Sequence, residues 1–472
     1  MVRRRLLGLL LLALSSSGCG PAVEPLGTEL APRAEALSYF PPGAPAVAVI
    51  STKGAGPQAL LTRLLELRGR TITIDDLRPV LGREVVVGIA RAGASPLGVV
   101  VTRRRDAPTA LGDRLVARGR ATGAGRYRGA TLFAAGDRLA LAAREGVLLV
   151  APSTRDLRAA LDHRAEGEGL DEPTWRLGLP RAGTGERPVA RATFDLRVLT
   201  ARASPRLRAV PFLSAAGRVG AVVRATDGGL VADVRLDTRG GDLVERDVPV
   251  SPGARAPLAI PVPEAGVALS VRDLAHLLGV AREAAAAGLP IEFLRYLRAR
   301  AELARSGGSN LEADVVARLH GPATILRTAD GVALVARPSR PRELRVALRR
   351  ILRRAPRALE RAGLPGVTVS DLAGSRLVSP PGTPADVRRV SVGMVGDVLV
   401  AGTLPAEELR ALALTRPRRA PGARGGLAFE IGPEALADLL PSGLADLLAG
   451  ARVDGWLRGE TTRTTGRLRL AF

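Results

Sequence analysis

Two stretches of this sequence read alike: Gly146-Val-Leu-Leu-Val-Ala-Pro-Ser-Thr-Arg-Asp-Leu-Arg-Ala-Ala-Leu161 and Gly396-Asp-Val-Leu-Val-Ala-Gly-Thr-Leu-Pro-Ala-Glu-Glu-Leu-Arg-Ala-Leu412. Each begins with a short apolar run typical of a buried strand and continues into a helical pattern. Ser153 and Thr403 stand where a helix N-cap is expected, with an acidic residue three or more positions later. The chain therefore contains an internal repeat, and that repeat decides its organisation.

The same series of elements surrounds both stretches. A strand, one or two helices and a hairpin recur four times, with turn signals such as Asp330-Gly331 between the hairpin strands. The first and third copies are each followed by a helix, two strands and a further helix. We therefore predict two tandem homologous domains, over residues 37–245 and 255–472, joined by a linker rich in Pro, Gly and Ala.

Hairpins with helices between them predict the α+β class. Each domain is expected to be an antiparallel sheet built from repeated strand–helix–hairpin modules, with helices on one face. In one predicted hairpin, Val234 and Leu236 alternate with Asp233 and Arg235. This alternation indicates that the other face of the sheet is in contact with water.

The N-terminus carries an export signal. Arg3, Arg4 and Arg5 precede the apolar run 6–14, which is far shorter than the roughly 20 residues of a membrane span. The small residues that lead into Cys19 resemble a bacterial lipoprotein signal. This resemblance implies a signal peptide at 1–18, a lipid on Cys19 and a flexible tether at 19–36.

The predicted location follows from the same segment. The protein is expected to be exported and held at the cell envelope by its N-terminal lipid. No Asp follows the cysteine, which favours the outer membrane in an organism that has one. A secreted protein with a free thiol is the alternative, because Ser16 stands where the lipoprotein pattern usually has Leu. Cys19 is the only cysteine, so we expect neither disulfides nor thiol chemistry.

The composition is strongly basic. Lys+Arg number 69 against 46 Asp+Glu, a formal net charge of +23, and Lys53 is the only lysine. A basic envelope protein is attracted to anionic lipids and polyanionic glycans. Aromatic residues make up 3% of the chain, which argues against a stacking groove for single-stranded nucleic acid, and no nucleic-acid partner is expected.

The densest basic cluster has helical spacing. It consists of Arg349, Arg350, Arg353, Arg354 and Arg357. One interpretation is an anion-binding face for an envelope component. The other is an ordinary solvated helix face with extended arginine side chains.

Several structural motifs resemble those of a large family of bacterial envelope proteins that share a domain of unknown function. They are Tyr39-Phe-Pro-Pro-Gly-Ala-Pro-Ala-Val-Ala-Val49, Leu81-Gly-Arg-Glu-Val-Val-Val87, Tyr127-Arg-Gly-Ala-Thr-Leu132 and the strand–Ser–helix segment 148–161. The resemblance covers residues 37–240 well and the second half more weakly. It implies an envelope location and a fold, but no activity.

Motifs for catalysis are absent from the sequence. His163, His276 and His320 have no neighbours at metal-binding spacing, and no nucleophile or phosphate-loop pattern occurs. Paired acids such as Asp75-Asp76 begin predicted helices, where the helix dipole favours them. No catalytic residue, cofactor or metal is predicted.

We therefore expect a lipid-anchored cell-envelope protein that is not an enzyme and that binds or scaffolds. One alternative is a carrier or chaperone for a lipid or another hydrophobic ligand in an apolar cleft. A second is a surface protein that binds polyanions. A third is a hydrolase assembled from distant segments. The sequence does not indicate a protein partner or an oligomeric state.

Overall fold

In the computed structural model, the described parts of the chain are residues 31–53, 74–137, 139–181, 188–201, 205–238, 243–250, 257–259, 266–288, 290–305, 310–361, 367–372, 388–419, 425–439 and 450–471. The predicted signal peptide and Cys19 lie outside them. The chain divides into two compact units. Unit 1 comprises Met1–Leu199, Gly217–Asp237 and Arg469–Phe472, and unit 2 comprises Thr200–Ala216 and Thr238–Leu468. Within the described ranges, no helix is both long and apolar enough to cross a membrane.

Unit 1 is an antiparallel sheet with helices. Its strands are β1 Ala46–Ser51, β2 Glu84–Ile89, β3 Pro96–Val101, β4 Thr122–Tyr127, β5 Ala130–Ala134, β6 Ala140–Arg144, β7 Val147–Ala151, β8 Pro188–Asp195 and most of β9 Ala216–Thr226 and β10 Gly229–Thr238. Its helices are α1 Ala31–Leu37, α2 Ile74–Leu77, α3 Ala107–Ala117, α4 Thr154–Ala165, α5 Glu172–Leu177 and most of α6 Arg197–Thr200.

The strands of unit 1 pair in the order β4–β5–β6–β7–β3–β2–β1–β8–β9–β10. Every pair from β4 to β9 is antiparallel. The first strand in the sequence therefore lies inside the sheet, with Val49 opposite Val86 on one side and Arg191 on the other.

Helices cover both faces of the sheet in unit 1. Successive strand residues point to opposite faces, and Leu149 packs in a core with α1, α4 and α5, whereas Leu148 packs in a second core with α3. The prediction of helices on one face is therefore wrong. The reason is visible in β6 and β7, whose side chains are almost all buried, as expected for strands covered on both sides.

Unit 2 holds the remaining elements. Its strands are β11 Leu258–Ala259, β12 Val267–Val271, β13 Ala323–Arg327, β14 Val332–Ala336, β15 Val367–Asp371, β16 Arg388–Val395, β17 Val398–Gly402, β18 Arg418–Arg419, β19 Leu427–Ile431, β20 Arg452–Gly459 and most of β21 Arg463–Ala471. Its helices are α7 Pro205–Arg208, α8 Pro211–Ala215, α9 Leu274–Gly288, α10 Pro290–Arg305, α11 Leu311–Asp314, α12 Pro341–Leu352, α13 Ala355–Arg361, α14 Ala406–Leu414 and α15 Pro433–Leu439.

The main sheet of unit 2 has the order β15–β16–β17–β14–β13–β12–β19–β20–β21, and β11 pairs separately with β18. The β15–β16 pair is parallel, and the pairs from β16 to β20 are antiparallel. Helices again lie on both faces. Leu344 of α12 packs in a core with α9 and α10, whereas Leu409 of α14 packs in a second core.

Local differences from the sequence expectations have simple causes. Residues 31–36, expected to be part of a flexible tether, belong to α1, which is fixed by the burial of Leu37. The helical pattern of residues 340–362 predicts one helix, but the structure has two, α12 and α13. A proline at position 356 has no N–H to donate to the carbonyl four residues earlier, at Leu352, where α12 ends.

The two predicted N-caps differ. Ser153 caps α4 by accepting a hydrogen bond from the backbone N of Asp156 at 3.2 Å, as predicted. Thr403 caps no helix, because α14 begins only after Pro405. Its hydroxyl instead accepts a hydrogen bond from the backbone N of Val332 at 3.0 Å. The threonine at position 403 therefore predicted a side chain that hydrogen-bonds to the backbone, but not which backbone group it contacts.

Candidate functional site

The predicted arginine cluster lies on α12 and α13 of unit 2. Arg349, Arg350, Arg353 and Arg357 are exposed, whereas Arg354 is partly buried. Among the described residues, the four exposed arginines have no acidic partner. We call these four residues the arginine face. It is the part of the predicted cluster that is available to a ligand.

The geometry of α12 explains why these arginines face outward. Leu344, Leu348 and Ile351 recur at intervals of three and four residues and pack in the core. Arg349 and Arg350 therefore occupy the opposite side of the helix. The arginines before and after the face do have acidic neighbours. Arg345 lies 3.7 Å from Asp397, and Arg361 lies 3.8 Å from Glu302.

Helix α10 has an unusual outer side. Its exposed residues include Ile291, Leu294, Arg298, Ala301 and Arg305, which recur at intervals of three and four and so form one stripe. Ile291 is 62% exposed and Leu294 is 53% exposed. Among the described side chains of α10, every exposed one is apolar or basic. We call these five residues the α10 stripe.

The inner side of α10 is held by packing and hydrogen bonds. Leu303 is buried, and α10 packs against α13. Tyr296 donates a hydrogen bond to Glu312 Oε1 at 2.9 Å, and Arg282 and Arg300 lie 3.1 Å and 3.4 Å from the same atom. Burial opposes ionisation of Glu312, but these donors hold its pKa below the ordinary value. The orientation of the stripe is therefore fixed by its neighbours.

Unit 1 contains a groove of about 690 Å³. It is lined mainly by apolar atoms, and its residues come from α1, the end of α4, the following loop and α5: Ala34, Ser38, Arg164, Gly167, Gly169, Leu170, Asp171, Glu172, Pro173 and Arg176. The loop is tightly packed, because a Cβ on Gly169 would lie 2.4 Å from the carbonyl oxygen of Ser38. Asp171 caps α5 by accepting from Thr174 N at 2.7 Å.

A buried ion network lies beside this groove. Arg33 contacts Glu84 at 2.5 Å and Glu172 at 2.9 Å, and Arg176 contacts Glu172 at 2.5 Å. The side chains of Arg33 and Glu172 are only 10% and 5% exposed. Burial disfavours the charged guanidinium, but the two carboxylates raise the pKa of Arg33 above its ordinary value. The network ties α1 to β2 and α5.

The other wall of the groove is held by Arg164, whose Nε and Nη2 groups contact both carboxylate oxygens of Glu35, at 3.2 Å and 2.8 Å. The Tyr39 hydroxyl approaches the same carboxylate at 3.4 Å. Burial and the negative charge of Glu35 raise the pKa of Tyr39 to about 12. Glu35 therefore orients Arg164 at the edge of the groove that it lines.

Other chemically active residues do not assemble into a site. The described ranges contain no cluster of His, Cys, Asp and Glu that could hold a metal ion. His320 Nδ1 lies 3.0 Å from Asp273 Oδ2, a pair that the sequence spacing did not reveal. His276 contacts the carbonyl oxygen of Val248 at 2.7 Å. Trp175 is fully buried in the core of unit 1, as expected for a packing residue.

Comparisons with known proteins identify no family. No protein-family model matches the chain, and no curated protein matches it. Among solved structures, crystal form IV of TP0453 is similar with a TM-score of 0.31 and 12% identity, over 43% of this chain and 79% of that one. Crystal form III gives a TM-score of 0.31 and 11% identity, over 51% of this chain and 90% of that one.

Proposed function

We propose that this chain is an exported protein, anchored to the cell envelope by a lipid on Cys19, that acts by binding and not by catalysis. Its binding surface is the arginine face, and its ligand is an anionic component of the envelope. The observation that carries this proposal is the set of four neighbouring exposed arginines without an acidic partner among the described residues.

Electrostatics supports this choice of surface. Elsewhere the exposed basic side chains often have a nearby acid, as Arg105 has Glu145 at 3.0 Å and Arg104 has Asp106 at 2.8 Å. Such pairs are already neutralised and attract an anion weakly. The arginine face concentrates unneutralised charge on one helix and the next, so an anionic surface gains several contacts at once.

We further propose that the two units are homologous domains that arose by tandem duplication. The order of strand pairing supports this. In unit 1, β1 pairs with β2 and β8, and β3 pairs with β7. In unit 2, β12 pairs with β13 and β19, and β14 pairs with β17. The helices after β7 and β17 correspond, as do those after β3 and β14.

Binding to heparin, a soluble polyanion, tests the main proposal. The protein is the chain from residue 19 onward with Cys19→Ser, and the test variant replaces the four residues of the arginine face with Ser. We expect its dissociation constant at low salt to rise about a thousandfold, because each of the four arginines near an anionic surface contributes about 1 kcal/mol.

A matched control removes the same charge elsewhere. Arg91, Arg103, Arg155 and Arg181 of unit 1 are also exposed and lack an acidic partner within the described ranges. Their replacement with Ser is expected to weaken heparin binding by less than about threefold, through net charge alone. Equal losses in the two variants would overturn the proposal of a specific face.

A second function is favoured by the groove of unit 1, whose volume lies within the roughly 300–1,000 Å³ of small-molecule sites. We propose, as this second function, that the protein is a carrier. Its groove would hold a ligand with an apolar body, and the anionic group of that ligand would lie beside Arg164. Native mass spectrometry of protein purified without detergent tests this function. A retained mass that is absent from Leu170→Arg would support it, and a bare protein mass would contradict it.

A further inference from the structure

We infer that the anionic ligand of unit 2 is a membrane surface, and that the α10 stripe enters the interfacial layer of that membrane. This inference rests on the proposed function of the arginine face and adds a second contact to it. The supporting observation is that the exposed apolar and basic stripe of α10 lies on a helix packed against α13, which carries one residue of the arginine face.

The exposed apolar residues of α10 are large and adjacent. Ile291 and Leu294 are more than half exposed and lie one turn apart. Val346, on the outer side of α12, is 60% exposed and lies one turn before Arg349 and Arg350. A polyanion such as a glycan gains nothing from these side chains, whereas the interfacial layer of a bilayer accepts apolar groups.

The charges on this surface match an anionic bilayer. Arg298 of the α10 stripe, like the arginine face, has no acidic partner among the described residues. Among the described side chains of α10 the exposed ones include no acid, and Arg305 of the stripe lies 2.6 Å from Glu302, whose side chain is only 12% exposed. A helix with one apolar and basic side and one buried side is typical of a helix that lies in a membrane interface.

The two sets of residues belong to neighbouring helices. α10 packs against α13, which carries Arg357, and Arg361 of α13 contacts Glu302 of α10. Since α12 and α13 are joined only by Arg353 and Arg354, the arginine face continues from α13 onto α12. The α10 stripe and the arginine face therefore belong to packed neighbouring helices, and the proposed membrane contact includes both.

Vesicle flotation distinguishes this inference from simple polyanion binding. The protein is again the chain from residue 19 onward with Cys19→Ser, so that no lipid anchor contributes. The vesicles contain phosphatidylcholine and phosphatidylglycerol at about three to one, which gives an anionic surface. The test variant is Ile291→Ser with Leu294→Ser, which removes two apolar side chains without adding charge, and the matched control is Leu414→Ser, at a leucine of α14 that is 77% exposed.

We expect the double variant to bind these vesicles at least about tenfold more weakly than the parent, while its heparin affinity changes by less than about threefold. Leu414→Ser should bind both as the parent does. If the double variant keeps full vesicle binding while the arginine variant loses both ligands, the membrane inference is wrong and the proposed function stands. If the parent binds neither heparin nor vesicles, the proposed function itself fails.

Discussion

Helix α3 of unit 1 and helix α12 of unit 2 occupy equivalent places, since each follows the second strand of a corresponding hairpin and buries leucines against the sheet. Their outer sides differ. α3 exposes Thr109, Asp113 and Val116, whereas α12 exposes Arg349 and Arg350. Among the described residues, the outer side of α3 therefore has no exposed arginine, whereas the second half of α12 has two.

The difference extends to the way that arginines are used. In unit 1, Arg120 lies 2.9 Å from the buried carboxylate of Asp76, and Arg33 joins two carboxylates. In unit 2, the arginine face has no such partners within the described residues. The buried network of unit 1 therefore uses arginine to hold elements together, whereas the arginine face of unit 2 is exposed to solvent. The comparison teaches that similar strand pairings, β1 with β2 and β8 in unit 1 and β12 with β13 and β19 in unit 2, occur with different outer side chains.

The largest effect is expected from breaking the buried network of unit 1. Glu172→Ala removes a carboxylate that contacts both Arg33 and Arg176. The Glu172 side chain is only 5% exposed. Removal of one partner from a buried ion pair should lower the free energy of unfolding by about 3 kcal/mol. Urea unfolding followed by circular dichroism measures this change.

The control for that experiment is Asp106→Ala, which removes the acid of the exposed pair with Arg104. We expect no resolvable change in its unfolding curve, because exposed ion pairs contribute little. Equal destabilisation by Glu172→Ala and Asp106→Ala would mean that the network beside the groove is no more important than a surface pair.

A second prediction concerns pH and Tyr39. The unfolded chain loses this phenolic proton near the ordinary tyrosine pKa of 10.0, whereas the folded protein keeps it up to a pKa of about 12. Between these values the folded state binds more protons, so stability falls as the pH rises. A difference of about two pH units corresponds to about 2–3 kcal/mol.

Tyr39→Phe should remove that contribution. We expect the unfolding free energy of the variant to decline less steeply between pH 10 and pH 12 than that of the parent protein, with similar stability at pH 8. Urea titrations at each pH provide the measurement. A variant that declines as steeply as the parent would show that the environment of Tyr39 does not favour its neutral form.

The smallest effect on stability is expected in unit 2. Replacement of all four residues of the arginine face with Ser should change the free energy of unfolding by less than about 0.5 kcal/mol per site, because exposed unpaired side chains make few stabilising contacts. A loss of several kcal/mol at any one site would contradict the contrast between the two units. The same measurement verifies that the binding tests use a folded variant.

The strands that were predicted well from the sequence are short apolar runs bounded by turn residues. The sequence pattern predicts strands at 46–51 and 427–431, and β1 at Ala46–Ser51 and β19 at Leu427–Ile431 have these bounds. β4 was missed because its Thr-Gly-Ala-Gly-Arg-Tyr sequence has neither apolar alternation nor burial. Its turn, Arg128-Gly129, has positive φ angles of 45° and 78°, which are typical of a tight hairpin.

Whether a candidate site could be predicted depended on how far apart its residues lie in the sequence. The arginine face lies within one short segment, so helical spacing was sufficient to indicate it. The spacing of Ile291, Leu294 and Arg298 was equally visible, but periodicity alone does not show which side of a helix is buried. The groove brings Ala34 close to Glu172, and no local pattern joins residues so far apart in the sequence.

Hydrogen–deuterium exchange with and without anionic vesicles tests the central claim most directly, because it maps the contact on the chain from residue 19 onward with Cys19→Ser as its only change. The account predicts slower exchange in α10, α12 and α13 when phosphatidylglycerol vesicles are present, with α3 and the rest of unit 1 unchanged. Protection confined to unit 1, or no protection in α10 despite vesicle binding, would contradict it.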